Sequence, residues 1–220
     1  KDARGQVYNV QTHTLREAWN SKQIKQTRID MIEGRRPELC RYCWDMENED
    51  NTDGASVRLS AANKRIPLED IADRIEYART HGGELDKDQL AFDFQLSIGN
   101  LCNLACKMCN NGYSTQYQKF FSRHHESPTE INFVLGKQLD LSPETRISFN
   151  TTFDWPIKLD LREIFREHVP TLKLMFFTGG EPTLIPEVVN FIDHLAEQPH
   201  DSELIVWPST NCTNINKGLL

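Results

Sequence analysis

The sequence has no apolar run long enough to cross a membrane, and no signal-peptide pattern at its start. Basic residues are outnumbered, with 25 Lys and Arg against 32 Asp and Glu, and the formal net charge of −7 argues against broad electrostatic binding to nucleic acid. Internal repeats, low-complexity tracts, a phosphate-binding P-loop and a Ser-His-Asp arrangement are all absent. The composition is that of an ordinary globular protein, so local motifs must indicate the function.

Cysteine is the residue type whose placement is most informative. The six cysteines are Cys40, Cys43, Cys102, Cys106, Cys109 and Cys212. Five of them fall into two tight groups, which is the spacing of metal sites in a reducing compartment rather than of a disulfide framework. We therefore expect a cytoplasmic protein with metal bound at one or both groups, and we interpret Cys212 as a lone thiol.

Three buried strands are predicted, with helices between them. Residues 92–98 alternate apolar and polar side chains, whereas 172–177 and 204–207 are nearly all apolar. We expect these last two strands to be buried on both faces. Helices are predicted at 113–122 and 159–168, with another after Pro182, and the alternation is typical of a parallel α/β sheet with right-handed crossovers.

The cysteine group Cys102, Cys106 and Cys109 lies directly after the first predicted strand, in the stretch 100–109. Ligands bind at the carboxyl edge of the sheet in parallel α/β folds, which is where this loop should lie. Three thiolates supply three of the four ligands of a four-iron cluster, and the remaining iron stays open to an outside ligand. A zinc site and three buried thiols are the alternatives, but zinc usually takes a fourth protein ligand.

Cys102-x3-Cys106-x2-Cys109, preceded by Asn100 and containing Asn103-Leu104, resembles the signature of the radical S-adenosylmethionine (SAM) enzymes. The resemblance implies that the three cysteines hold a [4Fe-4S] cluster and that the amino and carboxylate groups of SAM occupy the fourth iron. It further implies reductive cleavage of SAM to methionine and a 5′-deoxyadenosyl radical that abstracts a substrate hydrogen. A one-electron reductant such as flavodoxin or ferredoxin would be a partner.

Further positions carry the same resemblance. Met108, before the last cysteine, stands where the family often has an aromatic residue near the adenine of SAM. Gly179-Gly180-Glu181-Pro182 looks like the motif that binds the SAM amino group, although by itself it also reads as an ordinary glycine-rich turn. Asn211 ends the third strand as in the family, but Cys212 follows where glycine is common.

Cys40-x2-Cys43 supplies half of a metal site, in a segment 37–44 that we predict to be a tight loop. A zinc knuckle, a pair of reduced thiols and a cluster all fit the spacing. The surrounding Trp19-Asn20-Ser21, Arg28-x2-Met31-x2-Gly34, Glu47 and Ser56-x-Arg58 resemble the twitch/SPASM-like modules of radical SAM enzymes. That resemblance implies an auxiliary iron–sulfur cluster held partly by Cys40 and Cys43.

These observations predict a mainly helical cysteine-containing module at 1–83, followed by a partial (β/α) radical SAM barrel at 84–220. A six-unit barrel needs about 180 residues, so we expect the chain to be a fragment of a longer enzyme. Peptide or protein modification is the favoured activity, with small molecules and nucleosides left open. The alternative is a non-catalytic module that binds zinc or an iron–sulfur cluster and acts in partner binding.

Overall fold

The chain forms two compact units, Lys1–Ala91 and Phe92–Leu220. The computed structural model describes residues 7–48, 56, 68–86, 91–110, 112–124, 154–200 and 203–214. The division falls after Ala91, whereas the sequence analysis placed it at Gly83. Leu85 accounts for the difference, because it is buried and its backbone N–H donates to Asn20 Oδ1 of the first unit (3.0 Å). No described helix is long and apolar enough to cross a bilayer.

The first unit is helical in the part that the structure describes. Its elements are α1 (Leu15–Trp19), α2 (Lys22–Ile32), a 3-10 turn (Glu38–Cys40), α3 (Arg41–Asn48) and α4 (Leu68–Thr80). The start of α1 is a capping box, in which the Thr14 hydroxyl accepts from Glu17 N and the Glu17 carboxylate accepts from Thr14 N. Gly34, at φ +75°, follows α2 and adopts the left-handed conformation that ends many helices.

Arg28 joins three parts of the first unit. Its guanidinium donates to the carbonyl oxygens of Trp19 (2.5 Å) and Gly83 (2.7 Å) and to Asn20 Oδ1 (3.2 Å). It also lies over the Trp19 ring, with Cζ 4.7 Å from the ring centroid. Burial lowers the pKa of Arg28 to about 10, so the side chain remains a cation at neutral pH. The end of α1, the middle of α2 and the turn after α4 are therefore held by one side chain.

The segment around Cys40 and Cys43 is helical, and the prediction of a tight loop there is wrong. Cys40 ends the 3-10 turn and Cys43 lies in the first turn of α3. Pro37 suggested a loop, but it directly precedes the 3-10 turn, where the missing N–H of proline costs no helical bond. The indole N–H of Trp44 returns to the Pro37 carbonyl (3.2 Å) and closes this turn.

The second unit contains a three-stranded parallel sheet, as the alternation of strands and helices predicts. Its elements are β1 (Asp93–Ser97), α5 (Thr115–His124), α6 (Trp155–Lys158), α7 (Leu161–Phe165), a 3-10 turn (Val169–Thr171), β2 (Leu174–Thr178), a 3-10 turn (Pro182–Leu184), α8 (Pro186–Glu197) and β3 (Ile205–Pro208). Phe94 pairs with Met175, which pairs with Val206, in the order β1-β2-β3. The helix predicted at 159–168 is shorter and ends at Phe165.

An aromatic core fills one face of this sheet. Phe165 and Phe191 are each about 1% exposed and their ring centroids lie 5.5 Å apart. Phe94 meets Phe165 edge-on at 5.1 Å, and Phe177 meets Phe191 at 6.4 Å. Edge-to-face and tilted arrangements at these separations are favourable for aromatic rings, so α7 and α8 are firmly packed on this face.

On the opposite face of the sheet, β2 and β3 present mostly apolar side chains that are exposed or only partly buried, whereas β1 presents exposed polar ones. Ile205 is 55% exposed and Trp207 56% exposed, and Phe176 on β2 is only partly buried beside the Trp207 ring. The prediction that 172–177 and 204–207 are buried on both faces is therefore wrong. An apolar run shows that both faces of a strand are suited to burial, but a face is buried only where another element of the protein packs on it. The sequence also indicates a short strand around 146–149, and that segment lies outside the described residues.

Candidate metal centre and cofactor site

The cysteine loop begins where β1 ends and is anchored at both ends. Ile98 is fully buried, and its N–H donates to the Thr178 carbonyl (2.9 Å) at the end of β2. At the far end the Ser114 hydroxyl accepts from Tyr117 N (3.0 Å) at the start of α5 and donates to the Leu104 carbonyl (2.6 Å). Sequence reasoning missed Ser114, although serine directly before a helix is a recognised capping signal.

Cys102 is the most closely held of the three thiols. Its backbone exchanges two bonds with the Thr115 hydroxyl, accepting at 3.1 Å and donating at 3.3 Å. Its sulfur accepts from Leu104 N (3.5 Å) and from the side-chain amide of Asn211 (3.7 Å). Donors directed at sulfur stabilise a thiolate, as they do around iron–sulfur clusters.

The three thiols are close enough to affect one another electrostatically. Burial raises the pKa of Cys109, and the neighbouring charges of Cys102 and Cys106 raise it further. The N–H of Cys109 donates to the Cys106 carbonyl (2.9 Å), which makes a tight turn between these two residues. All six cysteines of the chain are free thiols.

This set of donors fits an iron–sulfur cluster. Within the described residues, no group of three or more His, Cys, Asp and Glu side chains is arranged to hold one metal ion. Thiolates also bind zinc, but three cysteines in one loop supply the donors that three irons of a four-iron cluster take. Cys102, Cys106 and Cys109 are the residues that would hold it.

The glycine-rich turn after β2 lies directly against the cysteine loop. Gly180 N donates to the Gly99 carbonyl and Glu181 N donates to the Leu101 carbonyl, each at 2.7 Å. A Cβ atom on Gly179, at φ +108°, would lie 2.6 Å from the Gly99 carbonyl oxygen, and one on Gly180 would lie 2.1 Å from that of Leu101. Both positions therefore require glycine because two backbones approach each other closely.

Glu181 is buried, at 1% exposure, and its carboxylate accepts four hydrogen bonds. Oε1 accepts from Thr183 N (3.2 Å), the Thr183 hydroxyl (2.7 Å) and the Thr210 hydroxyl (2.7 Å), and Oε2 accepts from Asn211 N (2.6 Å). Burial alone would raise the pKa of this carboxyl, but the bonds from Asn211, Thr210 and Thr183 outweigh it and the pKa is lowered. An ionised Glu181 thus joins the end of β2 to the end of β3.

The remaining predicted site residues occupy different surroundings. Asn211 reaches the cysteine loop, where its side-chain amide donates to Asn103 Oδ1 (2.9 Å). Met108 is 96% exposed, so its side chain extends from the loop beside Cys109. Cys212 is exposed and has φ +58°, a conformation that glycine adopts without strain.

Cys40 and Cys43 lie in the first unit, and each is partly buried. The described residues of that unit bring no third and fourth ligand to the pair. The neighbouring residues that resemble a twitch module make structural contacts instead. Arg28 is bonded as described above, and the buried Ser56 donates to the Glu47 carboxylate (2.5 Å).

The chain matches no protein-family model, no curated protein and no solved structure. Its likeness to radical SAM enzymes therefore rests on the residues of the two motifs. The structure adds that the cysteine loop and the Gly179–Glu181 turn, which are far apart in the sequence, are hydrogen-bonded to each other at the carboxyl edge of one sheet.

Proposed function

We propose that the second unit is the cluster-binding and SAM-binding core of a radical SAM enzyme. Cys102, Cys106 and Cys109 would hold a [4Fe-4S] cluster, and SAM would bind beside it, next to the turn at 179–181. The observation that carries this proposal is the backbone pairing of that turn with the cysteine loop, at Gly99 and Leu101. The edge of a parallel sheet is where such folds bind their ligands.

The residues of the site have separable roles. When bound, the cluster supplies the electron for reductive cleavage of SAM, which yields the radical that abstracts a substrate hydrogen. Gly179 and Gly180 let the two loops lie close together, and Glu181 fixes the end of β3 beside them. Met108 offers an exposed, polarisable side chain next to Cys109, which suits contact with the adenine ring.

Further parts of the proposal follow from the same chemistry. A one-electron donor such as flavodoxin or ferredoxin would reduce the cluster, and a peptide or protein is the favoured substrate. The cytoplasm is the expected compartment, because its reducing conditions keep thiols free. Cys40 and Cys43 are candidate ligands of an auxiliary cluster, which would form only with two further ligands that the described residues of this chain do not bring to the pair.

Anaerobic reconstitution with iron and sulfide tests the proposal. We expect brown protein that bleaches with dithionite and that releases 5′-deoxyadenosine when SAM and reductant are added. Cys106→Ala should abolish both the colour and the product, whereas Cys212→Ala, at an exposed lone thiol, should abolish neither. A colourless protein that binds zinc would instead favour a non-catalytic module, and a complete cluster that never cleaves SAM would refute the enzymatic function.

A further inference from the structure

The side chain of Asn211 connects the end of β3 to a proposed cluster ligand. Its Nδ2 donates to Cys102 Sγ (3.7 Å) and to Asn103 Oδ1 (2.9 Å), across more than one hundred positions of sequence. Its Oδ1 is occupied separately, since it accepts from Thr213 N (3.0 Å) and from the Thr213 hydroxyl (2.6 Å). The amide oxygen of Asn211 therefore stabilises the local turn, and the amide nitrogen bonds to the cysteine loop.

Glu181 holds the backbone of the same residue. The bond from Asn211 N to Glu181 Oε2 is short (2.6 Å), and the adjacent Thr210 hydroxyl bonds to Oε1 (2.7 Å). Because this carboxylate is buried and ionised, its bonds are charge-assisted and strong. The position of the Asn211 amide beside Cys102 is therefore set by a carboxylate in the turn after β2.

A donor directed at a ligating sulfur changes the energetics of an iron–sulfur cluster. Reduction adds one negative charge, part of which resides on the sulfurs, and an N–H dipole stabilises the reduced form more than the oxidised form. We infer that Asn211 is a positioning residue that raises the reduction potential of the cluster by donating to Cys102, and that Glu181 holds it in place. This inference rests on the proposed function. It gives Asn211 the role of tuning the reduction potential and Glu181 the role of positioning Asn211.

A redox titration followed by electron paramagnetic resonance tests the inference on the reconstituted protein. Asn211→Ala should shift the reduction potential to a more negative value while the iron content is retained. Thr213→Val is the control, since it removes the bonds of the Thr213 hydroxyl to Asn211 Oδ1 and to Asn103 Nδ2 but keeps Asn211 Nδ2 as a donor to Cys102, and its potential should match that of wild type. An unchanged potential in Asn211→Ala, or the same shift in both variants, would overturn the inference.

A second measurement needs no cluster. In the metal-free reduced protein labelled with 15N-asparagine, the side-chain NH2 signal of Asn211 is assigned by its loss in Asn211→Ala. It should move in Cys102→Ala and stay in place in Cys106→Ala, because of these two cysteines only Cys102 accepts from this amide among the described contacts. A signal that responds to neither cysteine, or equally to both, contradicts the bond.

The two measurements separate the inference from the proposed function. If the wild-type chain assembles no cluster, the proposed function fails, and the NMR signal still decides whether Asn211 binds Cys102. If the cluster forms and the NMR signal moves as expected but the potential does not shift in Asn211→Ala, the proposed function stands and the tuning role of Asn211 is refuted.

Discussion

The residues that the radical SAM resemblance assigns to a ligand are, in this chain, bonded to other parts of the protein. Gly180 approaches the Leu101 carbonyl so closely that no side chain fits between them, and Glu181 is surrounded by hydroxyl and amide donors. Each residue therefore has a structural requirement of its own. Substitutions should affect the folded state before any cofactor is added.

Gly180→Ala should destabilise the second unit by about 1–3 kcal/mol, because the new Cβ would lie 2.1 Å from the Leu101 carbonyl oxygen, which Glu181 N holds in place by a hydrogen bond. Urea unfolding gives the free energy, and hydrogen exchange gives the location. Exchange in peptides covering 98–109 should be faster than in wild type. Gly34→Ala is the control, since it strains a left-handed position in the first unit without any close contact, and it should leave those peptides unchanged.

Glu181→Gln should lower the free energy of unfolding by about 1–3 kcal/mol at pH 7, because donors that met a carboxylate would meet a neutral amide. The folded-state pKa of Glu181 is lowered, so its contribution is present above the unfolded value of about 4.3 and is lost as pH falls through the folded value. The difference between variant and wild type should therefore shrink in acid. Urea unfolding at several pH values measures it, and a difference that stays constant with pH would contradict the assignment.

At the scale of elements, one arginine joins several elements of the first unit, whereas in the second unit the helices pack on one face of the sheet. Arg28 donates to the carbonyl oxygen of Trp19 at the end of α1 and to that of Gly83 in the turn after α4. In the sheet, Phe177 is fully buried under α8, whereas Trp207 on the neighbouring strand is mostly exposed on the opposite face. The contribution of a large side chain to the free energy of unfolding thus depends on the face of the sheet on which it lies.

Arg28→Lys should destabilise the first unit by about 1.5–3 kcal/mol, because an ammonium group cannot reach both carbonyl oxygens and Asn20 at once. Hydrogen exchange of peptides spanning α1 and α2 locates the effect. Arg79→Lys provides the comparison, since Arg79 forms only an exposed pair with Glu76 among the described contacts and should cost about 0.5 kcal/mol or less. Equal effects of the two substitutions would show that Arg28 does not join these elements.

Phe177→Ala should cost about 3–5 kcal/mol, because it leaves a cavity beneath α8. Trp207→Ala should cost much less, since more than half of the indole is already in contact with solvent. Urea unfolding of both variants provides the comparison. A larger loss at Trp207 would mean that the open face of the sheet is covered in solution.

At the scale of the whole molecule, the two cysteine groups belong to different units and differ in the number of metal ligands that they supply. The triad in the second unit has three thiols, donors directed at the Cys102 sulfur and a glycine-rich turn hydrogen-bonded to its loop. The pair at Cys40 and Cys43 has the spacing of a half-site on a helical segment. The triad is therefore the group that should govern metal binding by this chain.

The double variant Cys40→Ser, Cys43→Ser should bind as much iron as wild type after reconstitution, about four per chain. The described residues supply no third ligand near the pair, so its removal should cost no complete site. Iron and sulfide analysis with the visible spectrum measures this. Loss of iron from the double variant, with the triad intact, would instead reveal an auxiliary cluster in the first unit.

Local patterns in the sequence determined much of the framework. The strand within 92–98, the helix after Pro182 and the parallel order of the strands all follow from short-range periodicity and turn chemistry. The spacing of the cysteine triad likewise points to a cluster without any structure. These features are readable because each depends on neighbours within one or two turns of the chain.

Only the tertiary structure determined the contacts between those local elements and the exposure of their side chains. The bond from Asn211 to Cys102 joins positions 109 residues apart, and that from Asn211 to Glu181 joins positions 30 apart. Neither follows from periodicity, because both depend on how the crossovers place one strand end beside another. The same holds for the open face at Trp207, since apolar composition shows which side chains can be buried and only the packed layers determine which of them are.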